Sequence, residues 1–154
     1  MGIEAILSPQ GVIPRLRAHC KREAIAMLAE RAADVVGMPA TTIEEALMSR
    51  EQLGSTGVGQ GVAIPHGKIE GLGEIAGVFA RLDPPLDFEA LDDEPVDLIF
   101  LLLAPADATA AHLKALAKVS RLMRDAGVRE ALRGAETGEA LFAIATSAER
   151  PDAA

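Results

Sequence analysis

A chain of 154 residues, 49% hydrophobic and 25% charged, is long enough to bury one compact core and short for two. Its formal net charge of −8 works against nucleic-acid binding, which needs a basic surface to displace counterions, and suits a basic protein partner instead. One cysteine, Cys20, excludes an internal disulfide and any multi-cysteine metal site, and reads as a bystander thiol near a helix start.

The longest apolar run, Leu98–Ala104, is too short to span a bilayer, and the chain opens with no basic-then-apolar signal segment. A soluble, cytoplasmic protein without a membrane span is therefore expected. Ile3–Leu7 reads as a short strand or turn, and Pro9 and Pro14 keep Ser8–Pro14 extended. Arg15, Arg17, Lys21 and Arg22 form a basic cluster that is either a set of solvated charges around a helix start or a docking patch. Ile25, Leu28, Ala32 and Val35 recur at helical spacing, which predicts a helix from about Lys21 to Val36, ended by Gly37 and Pro39.

Thr41 with Glu44 makes a capping-box pattern, so a second helix should start there. Ile43, Ala46 and Leu47 mark its buried face, and the next position on that face is Arg50. An unpaired cation is costly to bury, so Arg50 must snorkel outward, pair with a carboxylate, or face a pocket.

Gly54–Gly67 then reads Gly-Ser-Thr-Gly-Val-Gly-Gln-Gly-Val-Ala-Ile-Pro-His-Gly. Glycines let successive backbone N–H groups close around an anion. Val62–Ile64 suits a short buried strand, which Pro65 should end, leaving His66 where strand meets solvent. An imidazole there is a candidate nucleophile, general base or metal ligand, or an incidental side chain in a connector.

Glu70–Gly73 reads as a turn and Ile75–Leu82 as a strand broken by Pro84 and Pro85. The acidic stretch Asp87 to Asp97 lacks calcium-loop spacing and reads as a solvated connection. Val96–Leu103 is nearly all apolar, the mark of a central strand covered on both faces. Pro105 ends it, and Asp107 can cap a helix running to about Arg124 whose buried face is Leu116, Val119 and Met123. His112 lies on that face one turn earlier, either as a core histidine or as a functional one. Shorter helices are predicted over Val128–Arg133 and Glu139–Ala145. Together these point to a single α/β sandwich over 1–147, with a frayed tail over 148–154.

No Gly-x-x-x-x-Gly-Lys-[Ser/Thr] loop, Gly-x-Ser-x-Gly elbow or His-Glu-x-x-His pair is present. What remains is a histidine, a possible second one, an arginine and a glycine-rich loop, a set that suits phosphoryl transfer by alignment and charge neutralisation. Glu51 followed by Val58-Gly59 and by Val62-Ala63-Ile64-Pro65-His66-Gly67 resembles the signature of fructose/mannitol-type IIA domains of the bacterial phosphoenolpyruvate-dependent phosphotransferase system. Arg50 with Gly54-Ser55-Thr56-Gly57, then Pro95–Phe100, Pro105-Ala106-Asp107 and His112-Leu113, are similar to its nitrogen-regulatory branch.

The resemblance implies a mixed β-sheet flanked by helices on both faces, in which His66 accepts a phosphoryl group from a histidine-containing phosphocarrier protein, with Arg50 and His112 as the other active-site residues. Thr56, Gly57, Gly59 and Gly67 match the phosphate-contacting loop. No cofactor, metal or nucleotide is implied. The output is regulation of partner proteins, a potassium transport system or a sensor kinase being the kinds of target implied. Two alternatives stay open: a sugar-transport IIA passing phosphate to a IIB cysteine, and a non-catalytic anion-binding module.

Overall fold

The computed structural model describes residues 2–147, and the tail expected over 148–154 lies outside the described residues. A six-stranded mixed sheet is covered by helices on both faces. After a 3-10 turn at Ile3–Ala5 come β1 (Leu7–Leu16), α1 (Lys21–Val36), α2 (Ala40–Glu51) and three short strands, β2 (Gly57–Gly59), β3 (Val62–Ala63) and β4 (His66–Ile69). The long strands β5 (Ala76–Leu86) and β6 (Val96–Pro105) follow, then α3 (Thr109–Arg124), α4 (Ala126–Gly134) and α5 (Gly138–Ser147).

The sheet order is β1-β5-β6-β3-β2, with β4 also paired to β6. Strand β6 is the centre, antiparallel to β5 and parallel to both β3 and β4. Its side chains alternate as a two-sided strand requires. Ile99, Leu101 and Leu103 enter the core beneath α1 and α2, whereas Leu98, Phe100 and Leu102 enter the core beneath α3, α4 and α5.

Several boundaries differ from expectation for identifiable reasons. Strand β1 carries Pro9 and Pro14 through ten residues because it is an edge strand, paired only to β5, where a missing N–H leaves no ladder bond unmade. Strand β5 continues past Pro84 and Pro85 to Leu86, and its register with β6 shifts between Arg81 and Leu86, so the ladder skips both prolines.

Helix α2 starts at Ala40 with Pro39 as its N-cap and no side-chain cap bond. This puts Thr41 inside the first turn, and the Thr41–Glu44 capping box does not form. Asp107 likewise does not cap α3, whose N-cap is Ala108. Asp125 caps α4, its carboxylate accepting from the N–H groups of Gly127 and Val128.

The acidic connection is tied down rather than simply solvated. Asp92 accepts from the N–H of Gln60 at 3.0 Å, and Asp97 takes two hydrogen bonds from Arg133, at 2.8 and 2.9 Å. Among the described residues no helix is long and apolar enough to cross a membrane.

Candidate active site

His66 is not at a strand's solvent end. The line of β3 breaks at Ile64-Pro65 and resumes at His66, the first residue of β4, because both short strands pair along the same edge of β6. The carbonyl of Pro65 still accepts from Leu102 N–H at 2.9 Å, so the proline interrupts the strand without detaching it. The break turns the half-buried His66 ring so that its Nδ1 meets the carbonyl of Ile64 at 2.8 Å. A carbonyl only accepts, so the proton belongs on Nδ1 and Nε2 carries the lone pair.

That lone pair faces Arg50. Ile43 and Leu47 bury one face of α2 completely, and the helical period then delivers Arg50 to the same side. Of its three possible outlets, it takes the pocket. Arg50 Nε donates to His66 Nε2 at 3.2 Å, and Nη1 donates to the carbonyl of Gly54 at 2.9 Å.

Helix α3 supplies the opposite wall. His112 is only 5% exposed and stands edge-on to His66, with ring centroids 5.6 Å apart. Its buried Nε2 has no hydrogen-bond partner among the described residues. Lys68, two positions along β4 from His66, donates to Thr109 Oγ1 at 2.9 Å. These side chains line a cavity of about 420 Å3, at whose rim Leu53 and Leu113 are 84% and 63% exposed.

Burial lowers the pKa of both histidines. For His66 the Arg50 charge adds to the lowering, while the Ile64 hydrogen bond and the Glu51 charge oppose it. For His112 the further causes are His66 and Lys68. Both rings are therefore neutral at pH 7, and a neutral imidazole is the nucleophilic form.

The glycine loop does not offer the expected nest of free amides. Leu53 and Gly54 N–H groups close the end of α2, Thr56 N–H donates to Glu51, Gly57 N–H to Ser55 Oγ, and Gln60 N–H to Asp92. Thr56 is 3% exposed, and its hydroxyl also donates to the Glu51 carboxylate. Thr56, Gly57 and Gly59 lie outside the cavity wall. A Cβ on Gly57 would come within 2.8 Å of Ala90, so close packing accounts for that glycine. The positive charge at the cavity wall comes instead from Arg50 and Lys68.

A strand-break imidazole with a free Nε2, an arginine on it and a second histidine beside it accord with one match that covers nearly the whole chain. Residues 5–147 match the family described as phosphoenolpyruvate-dependent sugar phosphotransferase system, EIIA 2. The chain belongs to this family.

Among its relatives, a nitrogen regulatory protein of Bradyrhizobium diazoefficiens is 46% identical over 144 residues, covering 94% of each chain. A nitrogen regulatory protein of Escherichia coli strain K12 is 43% identical over 144 residues, covering 91% of this chain and 88% of its own. The crystal structure of nitrogen regulatory protein IIA-Ntr from Neisseria meningitidis superposes with a TM-score of 0.88 at 35% identity, over 94% of this chain and 99% of that one.

In this IIA domain, sequence reasoning placed Arg50, His66, Gly67 and His112 at one site, and the structure brings all four to one cavity. It passed over Lys68 and Thr109. The alternation of β4 could have found Lys68, because positions 66 and 68 share a face of the strand. Thr109 carried no local signal. Lys21, grouped with the surface cluster, has a side chain only 14% exposed and pairs with buried Glu51 at 2.7 Å. Among the described residues no cluster of three or more His, Cys, Asp or Glu could hold a metal ion.

Proposed function

We propose that this IIA domain is a nitrogen-regulatory histidine phosphocarrier. Nε2 of His66 takes a phosphoryl group from the phosphohistidine of a histidine-containing carrier protein, and the phosphorylation state of His66 selects the target proteins bound. The observation that carries the reading is the pairing of the His66 ring: Nδ1 on the Ile64 carbonyl and Nε2 turned to Arg50 in an open, half-buried cavity.

The donor nitrogen, phosphorus and Nε2 align in the cavity, and Arg50 moves from the ring nitrogen onto the phosphoryl oxygens. Lys68 and the unpartnered Nε2 of His112 lie within the same wall and supply further donors to those oxygens. The exposed Leu53 and Leu113 give the carrier an apolar rim to dock on. Similarity to nitrogen regulatory proteins over nearly their full length supports a regulatory output. The added charge, about two negative units, is enough to make or break an interface at this rim.

Incubation with phosphorylated carrier is expected to add one acid-labile phosphoryl group to the chain and none to His66→Ala. Equal labelling of the variant rejects the assignment. Rapid onward transfer to a IIB cysteine would instead favour the sugar-transport reading, and reversible phosphate binding without labelling would favour an anion-binding module.

A further inference from the structure

Beneath the cavity lies a buried ionic cluster that neither wall residue nor docking rim explains. Glu51 is 7% exposed, yet its carboxylate takes the Lys21 ammonium at 2.7 Å, the Thr56 N–H at 3.2 Å and the Thr56 hydroxyl. Lys21 is itself stacked over the Phe88 ring, 5.0 Å from its centroid. Such a cluster is costly to desolvate, and replacing it with apolar side chains is often neutral or stabilising, so stability alone is a weak reason for it to be there.

We infer that Glu51 is a positioning residue for the His66 reaction: it holds the loop that orients Arg50, and its negative charge offsets the positive ring formed when His66 is phosphorylated. This rests on the phosphocarrier reading of His66.

The first half of the role is geometric. Glu51 fixes Thr56, which closes the Gly54–Thr56 segment back onto α2. The Gly54 carbonyl in that segment accepts from Arg50 Nη1, and Arg50 Nε in turn reaches His66. Loosening Thr56 frees the carbonyl that holds the guanidinium in register.

The second half is electrostatic. In the transfer, the N–P bond of the donor's protonated phosphohistidine breaks, its electron pair returns to the donor nitrogen, and that ring leaves neutral. The Nε2 lone pair of His66 forms the new N–P bond. The proton stays on Nδ1, donated in a hydrogen bond to the Ile64 carbonyl, so His66 becomes the positive ring. The charged and titratable groups facing it are Arg50 and Glu51 from α2, Lys68 from β4 and His112 from α3. Of these, only Glu51 is negative. Arg50 and Lys68 suit the phosphoryl oxygens and oppose the ring's charge; Glu51 does the reverse.

The test compares the whole wild-type chain with Glu51→Gln and with the double variant Lys21→Met/Glu51→Gln, following His66 by NMR titration and by its rate of phosphoryl uptake from carrier. The single variant leaves Lys21 only the exposed Glu89 carboxylate, 3.4 Å away, as counter-ion and should be less stable. The double variant removes both charges and keeps an acceptor for Thr56, so it is the decisive protein. In the double variant, His66 is expected to titrate lower than in wild type and to take up phosphate about tenfold more slowly, within the range that a small misplacement of a positioned group costs. A folded double variant with wild-type titration and rate overturns the inference, leaving Glu51 a purely structural residue. If the wild-type chain takes no label, the phosphocarrier reading fails, while the direction of the His66 titration still decides whether the Glu51 charge acts on the ring.

Discussion

Arg50 Nε sits 3.2 Å from His66 Nε2, on the one lone pair the ring has to give. With Nδ1 committed to the Ile64 carbonyl, the proposed phosphoryl transfer has the guanidinium shield the nucleophile and mark where an incoming oxyanion is met. Arg50→Ala removes a preorganised donor. The rate of phosphoryl uptake should fall about a hundredfold, the usual scale for losing one such group. His66 should titrate higher, because the Arg50 charge is among the causes that lower it. Single-turnover labelling and an NMR titration read the two effects separately, and an unchanged rate would mean that the contact is incidental.

The pH dependence of folding follows from the two histidines. Both have pKa values lowered from the ordinary 6.5, so the unfolded chain binds more protons than the folded one once pH falls to that region. Their contribution to stability is complete above about pH 6.5 and is lost as pH falls through the folded values. Denaturant midpoints measured from pH 8 to pH 5 should decline below about pH 6.5. The variant His112→Gln should flatten that part of the curve; an equally steep curve would place the proton uptake elsewhere.

Gly67 lies against α2 rather than in open space. A Cβ there would stand 3.3 Å from the Ala46 Cβ and 3.4 Å from its carbonyl carbon, so α2 must give way by a few tenths of an ångström. Gly67→Ala should cost about 1–3 kcal/mol by overpacking. Because Ala46 is one turn from Arg50, the same shift should slow labelling of His66. Denaturation and labelling on one sample check both, and a variant of wild-type stability would show that α2 yields freely.

Leu53 and Leu113 are mostly exposed, so their removal should spare the fold. Replacing both by serine should raise the KM for phosphorylated carrier while the thermal midpoint stays within a degree or two, since surface changes are usually worth within about 0.5 kcal/mol. An unchanged KM would put the docking surface elsewhere on the molecule.

Arg133 joins three separate segments. Its guanidinium holds Asp97 through two hydrogen bonds and the carbonyl of Gln60 through a third, from a position in α4. Arg133→Ala should destabilise the chain by about 1.5–3 kcal/mol, the range for hydrogen bonds to charged groups. Phosphorylation of His66 by carrier should proceed at close to the wild-type rate in conditions where the variant is folded. A denaturant titration beside the labelling assay tests this, and a large loss of rate would tie α4 to the active site.

The sequence by itself determined the layers of this protein and singled out side chains that gather at one cavity. The apolar run of β6 announced a strand covered on both faces, α1 followed from its spacing, and Arg50 stood out as a charge on the buried side of α2, which Glu51 shares. These are legible because a helix or strand repeats its buried face within a few residues, so the message is complete in a short stretch.

Only the tertiary structure decided which polar groups were already spoken for. The glycine loop looked like a set of free donors until Glu51, Ser55 and Asp92 proved to have taken them, the last from 32 positions away. Lys21 looked solvated until α1 packed against α2 and drew it onto Glu51. Such pairings depend on where distant segments come to rest. They leave no period in the sequence, because a hydrogen bond is satisfied by whichever partner folding brings within reach.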